Sequence, residues 1–262
     1  MYDALYIGAT GMRAHQAQVD AIANNVANIN TVAFRRGVVS FSQVSAALTQ
    51  TGGDPILEAV RASLPSRGAG TLAHLNLSSA SGELKQTSEP LDVAIDGAGF
   101  LEVTRGDGTP AYTRAGSLKV NSDGLLTLAD GTALAVRVQL PPDAKDIRID
   151  ADGRVFAKLD GEAEVVEMGR MELVMFPNPA GLEAVGGNLF VATTESGEAR
   201  AGVPAEEGFG SIRQGYLEAS NVQLIEELVA MMVAQRAFEM NSHVVQAADQ
   251  MMAITNGLYG GR

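Results

Sequence analysis

Both ends of the chain carry the same apolar rhythm, and the middle does not. Toward the C-terminus, apolar residues recur in steps of three and four: Ala230, Val233, Ala237, Met240, Val244, Ala247, Met251, Ile254 and Leu258. Toward the N-terminus the same steps run through Leu5, Gly8, Met12, His15, Val19, Ile22, Val26 and Ile29, with Gly8 and His15 as the weak members. This is the a/d spacing of a helix whose seam faces another helix. A long helix with one continuous apolar stripe has to bury it. Two such helices at opposite ends predict that the ends meet and that a separate body is looped out between them. The natural use of such an architecture is assembly, not chemistry.

The first helix is predicted from Asp3, whose carboxylate suits an N-cap, to about Asn30. Asn24, Asn25, Asn28 and Asn30 crowd its end. Asn is a mediocre helix former, so simple fraying fits; so do amide contacts across a packed interface. The last helix is predicted from near Ser220, with Ser220 or Asn221 as N-cap, to about Asn256, with Gly257 as its stop. Glu226 and Glu227 lie early, where the helix dipole favours anions. A second stripe of Leu224, Leu228, Met231, Phe238, Val245 and Met252 adjoins the first. One partner helix covers one stripe, so the other argues for polymerisation.

Between the helices the period changes. Residues 31–71 carry weak signals and strong punctuation: Gly52-Gly53, Asp54-Pro55, Pro65, Gly68 and Gly70. This stretch reads as an extended arm, with a short helix from Pro55 to Ala62. From Leu72 to Arg213 the pattern is β: Leu91-Asp92-Val93-Ala94-Ile95 and Ile147-Arg148-Ile149 alternate at period two. Asp-Gly stands at 96–97, 107–108, 123–124, 130–131, 152–153 and 160–161. Both residues tolerate positive φ, so each pair between apolar runs is a hairpin signal. The expected fold class is α+β: long N- and C-terminal helices pairing as a coiled coil, with a discontinuous β-rich body looped out between them. The expected division is 1–35 with 216–262 for the paired helices, 36–71 for the arm and 72–215 for the body.

Composition narrows the function by exclusion. The formal net charge is −12, which argues against sequence-independent nucleic-acid binding. The charge is uneven: residues 1–41 hold Asp3 and Asp20 against Arg13, Arg35 and Arg36, so the acidity lies in the rest. There is no cysteine, which removes disulfides, thiolate metal sites and Cys nucleophiles. No apolar run reaches bilayer length, and the first ten residues lack a basic n-region and a long apolar core. Neither membrane insertion nor a Sec-type signal peptide is therefore expected. His15, His74 and His243 are scattered and have no neighbour at metal spacing. Gly97-Ala98-Gly99 starts like a dinucleotide loop, but Glu102 stands where the third Gly belongs. Asp150-Ala151-Asp152-Gly153 looks like a calcium-loop fragment, yet Arg148 occupies the first ligand position. No catalytic, cofactor or metal site is expected.

A resemblance sharpens this. The run Ile22-Ala23-Asn24-Asn25-Val26-Ala27-Asn28-Ile29-Asn30-Thr31-Val32-Ala33-Phe34-Arg35 resembles the N-terminal signature of the bacterial flagellar axial proteins, the rod and hook family. So do Ser220-Asn221-Val222, Glu226-Glu227-Leu228-Val229, Gln235 to Ser242 and Asp249-Gln250-Met251-Met252 near the other end. In the middle, Leu91 to Phe100 and Tyr112-Thr113-Arg114-Ala115-Gly116-Ser117-Leu118 are similar to its β-domain motifs. Length and the C-terminal helix place the resemblance closest to the distal rod branch. The resemblance implies a structural subunit that is not an enzyme and is exported through the flagellar type III apparatus. It would stack helically, with its terminal helices lining a central channel, into a shaft that transmits torque from rotor to hook. The implied location is the basal body, across the periplasm and the outer-membrane region. The implied partners are further copies of the chain, proximal rod proteins, the hook protein and the surrounding P- and L-ring proteins. The subunit-assembly residues are then Leu5, Met12, Val19, Ile22, Val26 and Ile29; Asn24, Asn25 and Asn28; and Val233, Phe238, Met240, Val244, Met251, Ile254 and Leu258. Other readings are another axial protein, a proximal rod or hook-like one, and a free β-domain binding module. The family usually has Gly where this chain has Ala33. Ala is poor at positive φ, so a helical or β backbone is expected there.

Overall fold

The computed structural model describes residues 2–44, 70–136, 138–141, 144–159 and 165–259. The expected helix at 55–62 and the Asp-Gly pair at 160–161 lie outside them. The chain divides into two compact units. One holds Met1–Ala27, Gly37–Asn76 and Gln223–Arg262; the other holds Asn28–Arg36 and Leu77–Val222. The boundaries differ from the expected ones on both sides. The arm's flanks join the helical unit, and the stretch just after the first helix joins the β unit.

The helical unit is built from α1 (Tyr2–Ala27), α2 (Leu224–Tyr259) and the strands β1 (Gly37–Val44) and β2 (Gly70–Leu77). α1 stops short of Asn30, because residues 28–33 turn instead, with Thr31 N donating to Asn28 O at 3.1 Å. α2 starts later than expected. The Asn221 side chain is engaged elsewhere, accepting from Arg36 N at 2.7 Å and donating to Ala80 O at 2.8 Å, so it does not cap the helix. α2 also runs through Gly257 to Tyr259, so that glycine is no stop.

β1 and β2 pair with each other, so the two described ends of the expected extended arm form a two-stranded sheet. Asn76 Nδ2 donates to Ser40 Oγ at 2.9 Å, and His74 meets Ser42 Oγ at 3.2 Å. The two helices pack side by side and antiparallel: Gly8 lies against Val245, Gly11 against Asn241, and Asn25 bonds Glu227.

The β unit contains β3 (Leu84–Gln86), β4 (Val93–Asp96), β5 (Leu101–Thr104), β6 (Pro110–Thr113), β7 (Leu118–Val120), β8 (Leu126–Leu128) and β9 (Ala133–Leu134). It continues with β10 (Ala144–Ile149), β11 (Arg154–Leu159), β12 (Val165–Arg170), β13 (Leu173–Met175), β14 (Glu183–Gly186), β15 (Leu189–Val191), β16 (Arg200–Gly202), β17 (Ser211–Gln214) and β18 (Tyr216–Glu218). A seven-stranded sheet runs in the order β14-β15-β6-β5-β9-β8-β7, and β10-β11-β12 form a second sheet. β13 pairs with β16, β4 with β17 and β3 with β18. Val93, Leu101, Val103, Leu140, Val155 and Leu173 lie in one buried core. Phe176, Phe190 and Tyr112 form a second cluster, with the Tyr112 and Phe176 rings edge-on at 4.8 Å.

Four Asp-Gly pairs, 107–108, 123–124, 130–131 and 152–153, close hairpins as their backbone tolerance predicts; Asp96-Gly97 does not, because β4 before it pairs with β17. Gly108 N donates to Arg105 O at 2.8 Å while Arg105 N donates to Thr109 O at 3.0 Å, with Gly108 at φ 82°. The same two-bond pattern closes 121–125, 128–132 and 150–154, with Gly124, Gly131 and Gly153 at positive φ. This is a type I turn followed by a left-handed glycine bulge. A side-chain acceptor ties each of the four turns: Asp107, Asp130 and Asp152 take the N–H of Thr109, Thr132 and Arg154 at 2.9, 2.9 and 3.3 Å, and Asn121 takes that of Leu125 at 2.9 Å.

Candidate functional site

Two places in the molecule combine unusual chemistry with the segments singled out by the sequence. The first is the face of α2 left uncovered in the helical unit. α1 meets α2 along small side chains. A methyl group added to Gly8 would sit 2.6 Å from Val245 Cγ2, and one added to Gly11 would sit 2.9 Å from Asn241 Nδ2. Ala234 and Ala248 are buried at 1% and 2% exposure. Met231, Val245 and Met252, from the second stripe, are half-buried. Glycine and alanine let two helix axes approach closely, which larger seam residues would prevent.

The strict stripe of large residues therefore points away from α1. Val233 is 61% exposed, Met240 66%, Val244 51%, Met251 54% and Ile254 65%. Phe238 is at 36%, while Ile225, Leu228, Val229 and Met232 extend the same uncovered surface. On α1, Met12, Val19 and Val26 are half-buried and Ile22 is buried; Ile29, just past the helix, is half-buried. Leu5 and Leu258 fall outside the residues whose side chains are described. The asparagines separate. Asn24 is exposed, and Asn28 accepts from Thr31 Oγ1 at 3.1 Å within its own turn. Asn25 is 1% exposed. Its Nδ2 donates to Gly37 O at 2.9 Å and Glu227 Oε2 at 3.1 Å, and its Oδ1 accepts from Gly37 N at 2.8 Å. Glu227 is fully buried. The Asn25 amide is thus occupied within one copy, tying α1, β1 and the first turn of α2 together. His15 faces Gln18 and Phe41, and His74 faces Ser42.

The second place is a buried clasp in the β unit. Glu218, 1% exposed at the end of β18, is held by two arginines. Arg35 Nη2 reaches its Oε1 at 2.8 Å, and Arg114 Nε reaches its Oε2 at 2.7 Å. Gly82 N adds a third donor at 2.9 Å. Only glycine fits there, because a methyl group at Gly82 would sit 1.8 Å from Ala219 O. Three further Arg114 N–H groups go to Gly97 O, Gly99 O and Ile95 O at 2.8–3.0 Å, and its guanidinium lies over the Phe100 ring. Gly97-Ala98-Gly99, the fragment of a dinucleotide loop, turns two of its carbonyls onto an arginine, the reverse of a phosphate cradle. Arg35 Nη1 donates to Ala80 O.

Burial pulls the Arg35 guanidinium below its ordinary value; Glu218 opposes that shift and Arg114 adds to it. The group stays charged, since guanidinium does not deprotonate in proteins. Removing the carboxylate would leave two buried cations uncompensated, a loss of about 3–5 kcal/mol.

The clasp also gathers the backbone. Ala33 N donates to Glu218 O at 2.8 Å, and Asn188 Nδ2 donates to Val32 O at 2.7 Å. Ala33 adopts φ 56° and is 2% exposed. The expectation of a helical or β backbone there is corrected: the bond to Glu218 holds alanine in the left-handed region. Sequence reading missed the clasp because its three charged members are far apart and none forms a motif with another. Arg35 and Arg114 did stand inside the quoted signatures, which was the one available signal. In the former calcium-loop fragment, Asp152 is bridged by Arg154 at 2.7 Å and Arg170 at 3.4 Å, and Asp150 by Arg148 at 2.9 Å.

Three family models match the chain. The flagella basal body rod protein model covers residues 5–35, the flagellar hook protein FlgE/F/G D1 domain model covers 94–157, and the flagellar basal body rod FlgEFG protein C-terminal model covers 213–258. The flagellar basal-body rod protein FlgG of Borreliella burgdorferi is 40% identical over 98% of this chain and 99% of its own. Those of Agrobacterium fabrum and Bacillus subtilis are 38% and 36% identical, over 97% and 96% of this chain and 98% and 97% of their own. The chain belongs to the flagellar basal-body rod protein FlgG family. Each of the three matched segments brings one member of the clasp: Arg35 from the rod segment, Arg114 from the D1 segment and Glu218 from the C-terminal segment.

Proposed function

We propose that this chain is a structural subunit of the flagellar distal rod, polymerising helically into a hollow shaft that carries torque from the rotor to the hook. One observation carries the reading: in a single copy, α2 turns Val233, Met240, Val244, Met251 and Ile254 into water. A regular apolar stripe of that length marks an interaction surface. Its a/d spacing suits a coiled-coil contact with a helix of the same kind. A second copy supplies such helices, and repetition around a lattice covers the stripe on every subunit. Burying one large aliphatic side chain contributes about 1.5–3 kcal/mol, so the contact is strong when repeated.

In this reading the work is mechanical rather than catalytic. The stated neighbours are further copies, proximal rod proteins below, the hook protein above and the P- and L-ring proteins around. The location is the basal body across the periplasm, reached through the flagellar export apparatus. Among the described residues no helix is long and apolar enough to cross a membrane. Electron microscopy of polymerised protein tests the reading. A straight hollow tube is expected, with the terminal helices innermost. Chains that stay monomeric at every concentration, or tubes that place the helices outermost, would remove it.

A further inference from the structure

The first strands of the β unit are paired with its last. β3 meets β18 with Leu84 opposite Glu218, and β4 meets β17 with Val93 opposite Gln214. Between them lie local pairs, β5–β6, β7–β8 and β10–β11, each antiparallel to a near neighbour in sequence. Closing a long loop is slower than closing a hairpin, because its entropy is lost before its contacts form. The ion clasp shares this order. Arg114 precedes its carboxylate by 104 residues, and Arg35 lies earlier still. Until Glu218 is present, both guanidinia stay in water, since an unpaired buried cation is strongly unfavourable. Gly82 N, Gly215 N and Ala219 N also complete their bonds across the same closure, to Glu218 Oε1, Asp92 O and Glu83 O.

We infer that Glu218 is the closing latch of the β unit, which stays open until β18 delivers this carboxylate to Arg35 and Arg114. A chain whose C-terminal part is still withheld, by synthesis or by threading through a narrow passage, therefore keeps its hairpins but not its closed body. The latch stands on the topology and the clasp alone, and does not depend on how copies assemble.

Pulsed hydrogen exchange during refolding of the full chain, read by mass spectrometry, tests it. Residues 101–113 and 118–128 gain protection in an early phase. Residues 84–86, 94–96 and 211–218 gain it together in the last phase. In Glu218→Ala the early phase is unchanged and the last is slowed about tenfold or lost. Protection of 94–96 in the early phase of the unaltered chain overturns the latch. So does a Glu218→Ala last phase within about twofold of the original. The unaltered chain decides the order even if the variant never closes.

Discussion

The two units solve burial in opposite ways. In the β unit the large apolar residues face inward, and the charged residues that enter the core arrive with partners. In the helical unit glycine, alanine and amide make the closest approach of the two helices, with Ile22 buried and Val245 half-buried beside them, while the strict stripe of large apolar residues on α2 faces out. Burial contributes in proportion to area, so the first arrangement stabilises one copy, while the stripe left in water contributes no burial within it. In the proposed reading, that stripe is what a neighbouring copy covers.

The sharpest way to break the comparison is Val244→Asp. Val244 is 51% exposed. Surface changes of this kind shift single-copy stability by about 0.5 kcal/mol at most. Filament formation, followed by sedimentation and electron microscopy, is expected to disappear. If filaments persist, the outward stripe is not the joining surface. The next largest effect is in the body. Glu218→Ala is expected to reduce the stability of the β unit by about 3–5 kcal/mol in urea melts. An unaltered melting curve would mean that the clasp contributes nothing.

Gly8→Ala sharpens the contrast from the other side. In an open helix, replacing glycine by alanine gains about 1 kcal/mol. Here the added methyl group meets the stiff Val245 side chain at 2.6 Å. Overpacking of this kind costs about 1–3 kcal/mol, so the sign reverses. Hydrogen exchange should show weaker protection of α1 and α2, with the β unit unchanged. Ala33→Gly tests the turn beside the clasp. Glycine relieves a left-handed strain of about 1–2 kcal/mol. It also loosens the unfolded chain by about 0.4–1 kcal/mol and loses a buried methyl group worth about 0.8 kcal/mol. The melting midpoint should hardly move, which explains how alanine persists at φ 56°.

How much of this was legible depended on distance along the chain. The hairpins were readable because Asp107-Gly108 or Asp130-Gly131 fixes its own turn within five residues. The helices were readable from period, and so was the surplus of apolar faces on α2. Their allocation was not. The strict stripe through Val244 reads as an inner seam by size alone, yet Gly8, Gly11, Ala234 and Ala248 win the inner position because they allow closer approach. The asparagine cluster was visible, but not that Asn25 would turn inward to Glu227 and Gly37 while Asn24 stayed out. The clasp depends on Arg35, Arg114 and Glu218 meeting in space, and no local pattern encodes that.

The smallest expected effect belongs to the best-read feature, a hairpin tip. The Asp107 carboxyl sits below its ordinary value, first because the Thr109 hydroxyl donates to it, then because Thr109 N–H does, with Arg105 a lesser contributor. A carboxyl depressed in the folded state contributes stability above its unfolded value, about 3.9, and loses it as pH falls through the lower folded value. Thr109→Val removes the hydroxyl donor and keeps the N–H. The Asp107 titration, followed by carboxyl NMR, should move up toward its ordinary value without reaching it. Protection of the hairpin at neutral pH should fall slightly, because the ionised carboxylate then contributes less, and the loss on acidification should be smaller and finish at higher pH. Because the turn is closed by its own backbone bonds, neither the body's core nor the clasp should respond. A shift felt at Glu218 would mean that the hairpins and the latch are one cooperative element.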